Sequence, residues 1–275
     1  APINFLGEKE TAGYVDTGSW SAKAIKEAKR YGETKVLASS KADGYTHIPK
    51  GYDIPSDLKY LHITSNNTIF GTEYHALPET NVPIIADMSS NIFSKPVDVS
   101  RYAIIYAGAQ KNMGPAGTAL VLINKDYMSE QARDVPTMLN YQTFIDKQSM
   151  FNTPPVFAIY VSMLTMRWVK AQGGVAAMAK KNEQKAKLLY DTIDASSLFY
   201  GPAAQEDRSL MNVNFLLKDE ALQDSFLAAC KASGCESVKG HRSVGGFRAS
   251  IYNAMPLAGV ETLCDVIKGF DQKNG

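Results

Sequence analysis

Cysteine is scarce in this chain. Only Cys230, Cys235 and Cys264 occur in 275 residues, with no CxxC pair and no histidine cluster beside them. An odd, scattered set of thiols excludes a disulfide framework and a thiolate metal site, so packing is their expected role and no metal is expected. Long apolar runs are missing too. None approaches the roughly 18 residues that a bilayer-spanning helix needs, and the opening "APINFLGEKETAGY" lacks the basic-then-apolar layout of a secretory leader, so a cytosolic, membrane-free protein is expected. A charge excess is absent as well: 29 basic side chains face 28 acidic ones, which leaves no global field to gather nucleic acid. Neither GxGxxG nor GxxxxGK[ST] follows a strand-like run, which argues against a nucleotide-binding domain.

What remains is a globular composition, 45% hydrophobic and 21% charged, long enough for one large domain or a large and a small one. "SWSAKAIKEAKRYG" reads as an amphipathic helix stopped by Gly32. Five strand-like runs follow: "KVLASS", "YLHITS", "VPIIADMS", "YAIIYAGA" and "TALVLIN". Several are apolar on both alternating faces, as strands covered by layers on both sides must be. The first four end in small or polar residues, and α/β sheets bind ligands beyond their strands' carboxyl ends.

"NTPPVFAIYVSMLTMRWVKAQGG" reads as a helix capped by Asn152 or Thr153, with Pro154 in its first turn and Gly173-Gly174 interrupting it. A second helix, "VAAMAKKNEQKAKLLYDTID", has a lysine-rich face expected to be solvated. The mixed helices and strands beyond it suggest a smaller α+β domain joined through residues 173–195. The expected division is a large domain over 1–178 and a small one over 179–275.

The chemistry centres on "YAGAQKNMGPAG", where Lys111 follows a strand among small residues with no other charge. A partly desolvated lysine loses basicity and becomes an amine fit for Schiff-base chemistry, although a lysine in a glycine-rich turn is commonly a surface residue. Asp87 closes "VPIIAD", 24 residues earlier. An acid at a buried strand's end needs a positive partner, which the pyridinium of pyridoxal phosphate supplies; capping the next turn is the plainer alternative. Trp20 suits stacking on a ring or anchoring a core, and Thr68 suits a ring oxygen or a local turn. Asn152 and Thr153 stand where a helix start attracts an anion or needs only a cap. "VKGHRSVGGFR" gathers Lys239, His241, Arg242 and Arg248 without an acid, suited to a carboxylate or phosphate substrate or to a solvated hairpin.

In combination, "YAGAQKNMGPAG", "ADMSSNI", "NTPP" and "GHRSVGGFRASIYNAMP" resemble the motifs of the phosphoserine aminotransferase family, class V of the fold-type I pyridoxal-phosphate enzymes. The resemblance implies an α/β fold with a large, mostly parallel sheet flanked by helices and a small C-terminal α+β domain. It implies that Lys111 joins the cofactor aldehyde, Asp87 pairs with its ring nitrogen, Trp20 stacks on the ring, and Thr68 and Gln110 contact it. Asn152 and Thr153 would reach the cofactor phosphate of a second subunit in a homodimer with shared sites, while His241, Arg242 and Arg248 hold the substrate. The implied reaction carries an amino group from glutamate to 3-phosphohydroxypyruvate in serine biosynthesis, and in many bacteria the family also serves pyridoxine biosynthesis. The likeness begins near Tyr14, so about the family's first quarter has no counterpart here. The expectation is a fragment of a longer product or a shortened protein that alone binds cofactor weakly. Another fold-type I enzyme, a desulfurase included, and a non-catalytic dimerisation module are the alternatives.

Overall fold

The computed structural model describes residues 1–275. After a one-turn helix α1 (Pro2–Phe5), the chain runs β1 (Thr11–Asp16), α2 (Ser19–Ala28), β2 (Glu33–Ser39), β3 (Leu61–Thr64), the short hairpin β4 (Asn66–Asn67) and β5 (Thr72–Glu73), then β6 (Ile84–Asp87), β7 (Ile104–Gly108) and β8 (Ala119–Ile123). Helices α3 (Tyr141–Asp146), α4 (Val156–Ala171) and α5 (Gly174–Asp194) follow, then β9 (Phe199–Tyr200), β10 (Asn212–Leu217), α6 (Gln223–Ala232), β11 (Phe247–Ser250) and α7 (Leu257–Asn274). No helix is long and apolar enough to cross a membrane.

Six strands form one sheet in the order β2-β1-β3-β6-β7-β8, parallel except for the β7–β8 pair. All five strand runs expected from the sequence are present. Period-two alternation divides their side chains between two cores. Val15, Ile63, Ile84, Ala86 and Ile105 face one side, and Tyr14, Ile85 and Ile104 join Phe5 and Tyr127 on the other. Polar groups on the second face pair with one another: the Tyr14 and Tyr60 hydroxyls lie 2.9 Å apart, and His62 Nε2 meets the Tyr106 hydroxyl at 2.8 Å. Burial pushes the His62 pKa down to about 3, so the ring stays neutral.

The antiparallel sheet β11-β10-β9 carries a separate core with the inner faces of α5, α6 and α7. Five phenylalanines fill its centre, with the Phe226 ring 4.7 Å from those of Phe199 and Phe247 and 5.2 Å from that of Phe270. Cys230 and Cys264 are buried in the same core.

Three sequence expectations need correction, and one strand was not expected. Strand β1, "TAGYVD", has no counterpart among the expected runs; its Gly13 packs against the Leu58 and Leu37 side chains, a Cβ there falling 2.7 Å from Leu58 Cδ1. Helix α2 ends at Ala28, ahead of Gly32. Helix α4 begins at Val156 after Pro155, and neither Asn152 nor Thr153 caps it. On α5 the lysine face is not wholly solvated, for Lys185 is buried.

The phenylalanine cluster should be the main store of stability in the C-terminal unit. Phe226→Ala is expected to cost about 3–5 kcal/mol, read as a lower urea midpoint by circular dichroism.

Candidate active site

Parallel pairing places strand ends in a row. In register, Thr64 stands beside Asp87, and Asp87 beside Tyr106. Just past these ends lies a cavity of about 180 Å³. Trp20, Thr68, Asp87, Gln110 and Lys111, all singled out in the sequence, line it together. Thr64, Asn66, Ser89 and Ser90 complete the lining. These four were not singled out: Ser89 and Ser90 stand in the "ADMSSNI" motif without a role of their own, the strand-end rule reached Thr64 and Ser89, and nothing in the sequence marked Asn66.

Lys111 belongs to the connection between β7 and β8, which is closed at its base by the Ala109 amide donating to the Thr118 carbonyl at 3.1 Å. Within the turn, the Met113 and Gly114 amides both donate to the Ala109 carbonyl. A Cβ at Gly114 would fall 2.7 Å from Ser162 Oγ, so this turn rests directly on α4. Lys111 Nζ donates to Thr68 Oγ1 at 2.7 Å. Desolvation is the largest influence on the amine and lowers its pKa to about 8; the Asp87 charge works against this, and the Arg248 charge reinforces it.

The Thr68 position is fixed by the β4–β5 hairpin. Its turn closes through Asn67, whose carbonyl accepts from the Gly71 amide at 2.8 Å, and Gly71 takes the positive φ of 76° that glycine tolerates. Thr17 Oγ1 donates to Asn67 Oδ1 at 3.1 Å, while Asn66 Nδ2 donates to Ser90 Oγ and Asn212 Oδ1 at 2.8 and 2.9 Å. The hairpin thus joins the end of β1, the end of β6 and the C-terminal unit.

The two readings of Asp87 turn out to be compatible. Its Oδ1 accepts from the Ser89 amide at 2.9 Å, the local turn bond, while the residue also lines the cavity. Trp20 is no core anchor: it is 44% exposed, with Lys23 Nζ 4.3 Å from its ring centre. Arg248 is half-buried on β11, and its Nε has no hydrogen-bond partner. The Tyr252 hydroxyl accepts from Asn212 Nδ2 at 3.0 Å, close to both Thr68 and Arg248.

Other expected residues are not brought into this cavity. His241 lies in the turn before β11, with Nδ1 2.7 Å from Ser243 Oγ, and Arg242 beside it is exposed. Asn152 and Thr153 are exposed ahead of α4, where Asn152 Nδ2 bonds only the neighbouring Thr153 carbonyl at 3.2 Å.

The arrangement suits a flat, anionic aldehyde. Its amine is substantially neutral near pH 8, an acid stands near it, and the Thr64 hydroxyl is buried without a partner in the wall. Pyridoxal phosphate meets each demand: an aldehyde for Lys111, a basic ring nitrogen for an acid, and oxygens for unpaired donors.

Comparison with known proteins agrees. The profile of the class-V aminotransferases matches residues 2–263. The phosphoserine aminotransferase of Flavobacterium johnsoniae is 54% identical over 273 residues, 99% of this chain and 77% of its own length. The solved phosphoserine aminotransferase of Bacillus circulans subsp. alkalophilus is 44% identical with a TM-score of 0.96, covering 100% of this chain and 77% of that one. A further solved phosphoserine aminotransferase, studied for radiation damage of its Schiff base, is 49% identical with a TM-score of 0.95 over 99% of this chain and 77% of its own. This chain therefore belongs to the class-V aminotransferase family and is a pyridoxal-phosphate-dependent aminotransferase.

Proposed function

We propose that this protein is a phosphoserine aminotransferase, moving the amino group of L-glutamate to 3-phosphohydroxypyruvate to give O-phospho-L-serine and 2-oxoglutarate. The observation that carries the reading is Lys111: half-buried at the end of a parallel sheet, lowered to a pKa of about 8, and flanked by Asp87, Thr68 and Arg248. Relatives of that name at 54%, 49% and 44% identity support the substrate assignment.

When bound, pyridoxal phosphate supplies an aldehyde that condenses with amines and a protonated ring that draws electrons from the adjoining carbon. Lys111 would hold it, and its Nζ, when free, would take the Cα proton of the amino donor. Thr68 keeps Nζ oriented, and Asp87 would offer its negative charge to the ring nitrogen. Trp20, in the cavity wall, would stack on the ring and limit water. Arg248 receives a substrate carboxylate, for which its unpaired Nε is suited. His241 and Arg242, on the exposed turn before β11, meet the substrate's outer anionic group.

The functional unit is a homodimer formed through α4. Val156, Phe157, Ile159, Tyr160, Leu164 and Trp168 leave this helix with a large exposed apolar surface, and Phe157 is 75% exposed. Monomers rarely leave so much apolar surface together, and a second copy is the partner that the family resemblance supplies. Asn152 and Thr153 precede this helix and would reach the partner's cofactor phosphate. Because the Lys111 turn rests on α4, the interface and the site share a wall.

Three outcomes are expected. Borohydride trapping of pyridoxal phosphate should place the adduct on Lys111, with a yield rising through pH about 8 and not through the ordinary lysine value of 10.5, since only the neutral amine adds to the aldehyde. Lys111→Ala should lose the adduct and lower glutamate-dependent formation of phosphoserine by about 10²–10⁴-fold, measured by coupled assay. Phe157→Glu should weaken self-association roughly tenfold or more, read by sedimentation velocity.

A further inference from the structure

Helix α5 holds a lysine where its neighbours are apolar. Lys185 is 2% exposed, between Asn182 and the core residues Ala186 and Leu189. Its ammonium meets no carboxylate. Nζ donates instead to two consecutive carbonyls, Ile251 and Tyr252, each at 2.8 Å. Those carbonyls belong to the turn that leaves β11. An apolar side chain could fill the same space without the desolvation that lowers the Lys185 pKa to about 8, so the two hydrogen bonds are what distinguish lysine here.

The same turn is gripped from other directions. The Ile251 amide donates to the Met211 carbonyl at 2.9 Å, and the Asn253 amide to Asn112 Oδ1 at 3.1 Å. Asn253 Nδ2 donates to the Phe93 carbonyl, and its Oδ1 accepts from Asn182 Nδ2, both at 2.9 Å. Asn112 is the neighbour of Lys111. Arg248 and Tyr252, which flank or form the turn, lie near Lys111 and Thr68. One buried cluster therefore connects α5, the substrate-side strand and the residue after the cofactor lysine.

We propose that Lys185 is a positioning residue: by holding the 251–253 turn, it keeps Arg248 and Tyr252 in place opposite Lys111. The inference rests on the reading of Lys111 as the cofactor lysine. Its consequence is electrostatic as well as geometric. The charged groups acting on Lys111 are Asp87, from the end of β6, and Arg248, from β11, while Thr68 of the β4–β5 turn is its hydrogen-bond partner. If the turn is released, Arg248 withdraws, and Lys111 becomes more basic.

The test uses the full chain as Lys185→Met, which keeps the bulk, and Lys185→Gln, which keeps a donor. Pyridoxal phosphate is trapped with borohydride from pH 6 to 10 (roughly the span around the Lys111 value), and the Lys111 peptide is quantified by mass spectrometry. Binding of glutarate, an unreactive dicarboxylate, is followed through the absorbance of bound cofactor. For K185M the trapping midpoint should rise by about half a pH unit or more, and glutarate affinity should fall about tenfold, with K185Q between K185M and the parent. A folded K185M with the parent's midpoint and glutarate affinity overturns the proposal. If K185M does not fold, Asn253→Ala, which cuts the bond between side chains of the turn and α5 while keeping Lys185, carries the same expectation, and an unshifted profile there overturns it. Absence of any Lys111 adduct in the parent chain, measured first, would sink the cofactor reading and this inference with it.

Discussion

Five strands pointing the same way bring their carboxyl ends to one rim, and the site depends on that constraint. A parallel register leaves no choice about neighbours: once β3, β6 and β7 pair, Thr64, Asp87 and Tyr106 must stand side by side. The apolar alternation above and below holds the register, since a slip by one residue would expose Ile63, Ile85 and Ile105 to the wrong layer. The rim is polar because the strands end there. A lysine set against it is dry enough to lose basicity yet open enough to react.

A second constraint holds the C-terminal unit to this rim, and it is polar. Asn66 meets Asn212 at 2.9 Å and accepts from Ser209 Oγ at 2.5 Å, Glu73 pairs with Lys95 at 2.7 Å and accepts from the Leu210 amide at 3.0 Å, and Asn182 Nδ2 donates to the Ser94 carbonyl at 3.1 Å. Such contacts are directional. Apolar packing tolerates small sliding, whereas a buried amide that slides loses its partner, so this seam specifies one arrangement of the two parts. Arg248 depends on that arrangement for its distance from Lys111.

Much of this was legible in the residues. Val, Ile and Leu runs ending in polar residues gave five of the six strands of the large sheet, and the position of Lys111 and Asp87 at such ends gave the heart of the site. Where reading failed, the reasons are physical. Strand β1 escaped notice because Gly13 interrupts its apolar run, although in the fold that glycine lies within the strand against Leu58. Lys185 lay on a face that periodicity alone called solvated, because the covering turn is contributed by residues some 66 positions away. Ser89 and Ser90 stood in a motif that assigned them no role, and Thr64 was marked only by its place at a strand end. Asn152, Thr153, His241 and Arg242 carry motifs, yet in a single chain they lie outside the cavity.

The tether of Lys111 has one more consequence. Its backbone sits in a connection fastened at both ends to a strand ladder and closed across its base by Ala109 and Thr118. Four methylenes are then the compliant part of the link between scaffold and reacting nitrogen. The side chain can move by rotamer changes on a nanosecond scale while its anchor point stays still. The amine thus sits on a rigid mount with a flexible arm, and its motion demands no rearrangement of the sheet beneath.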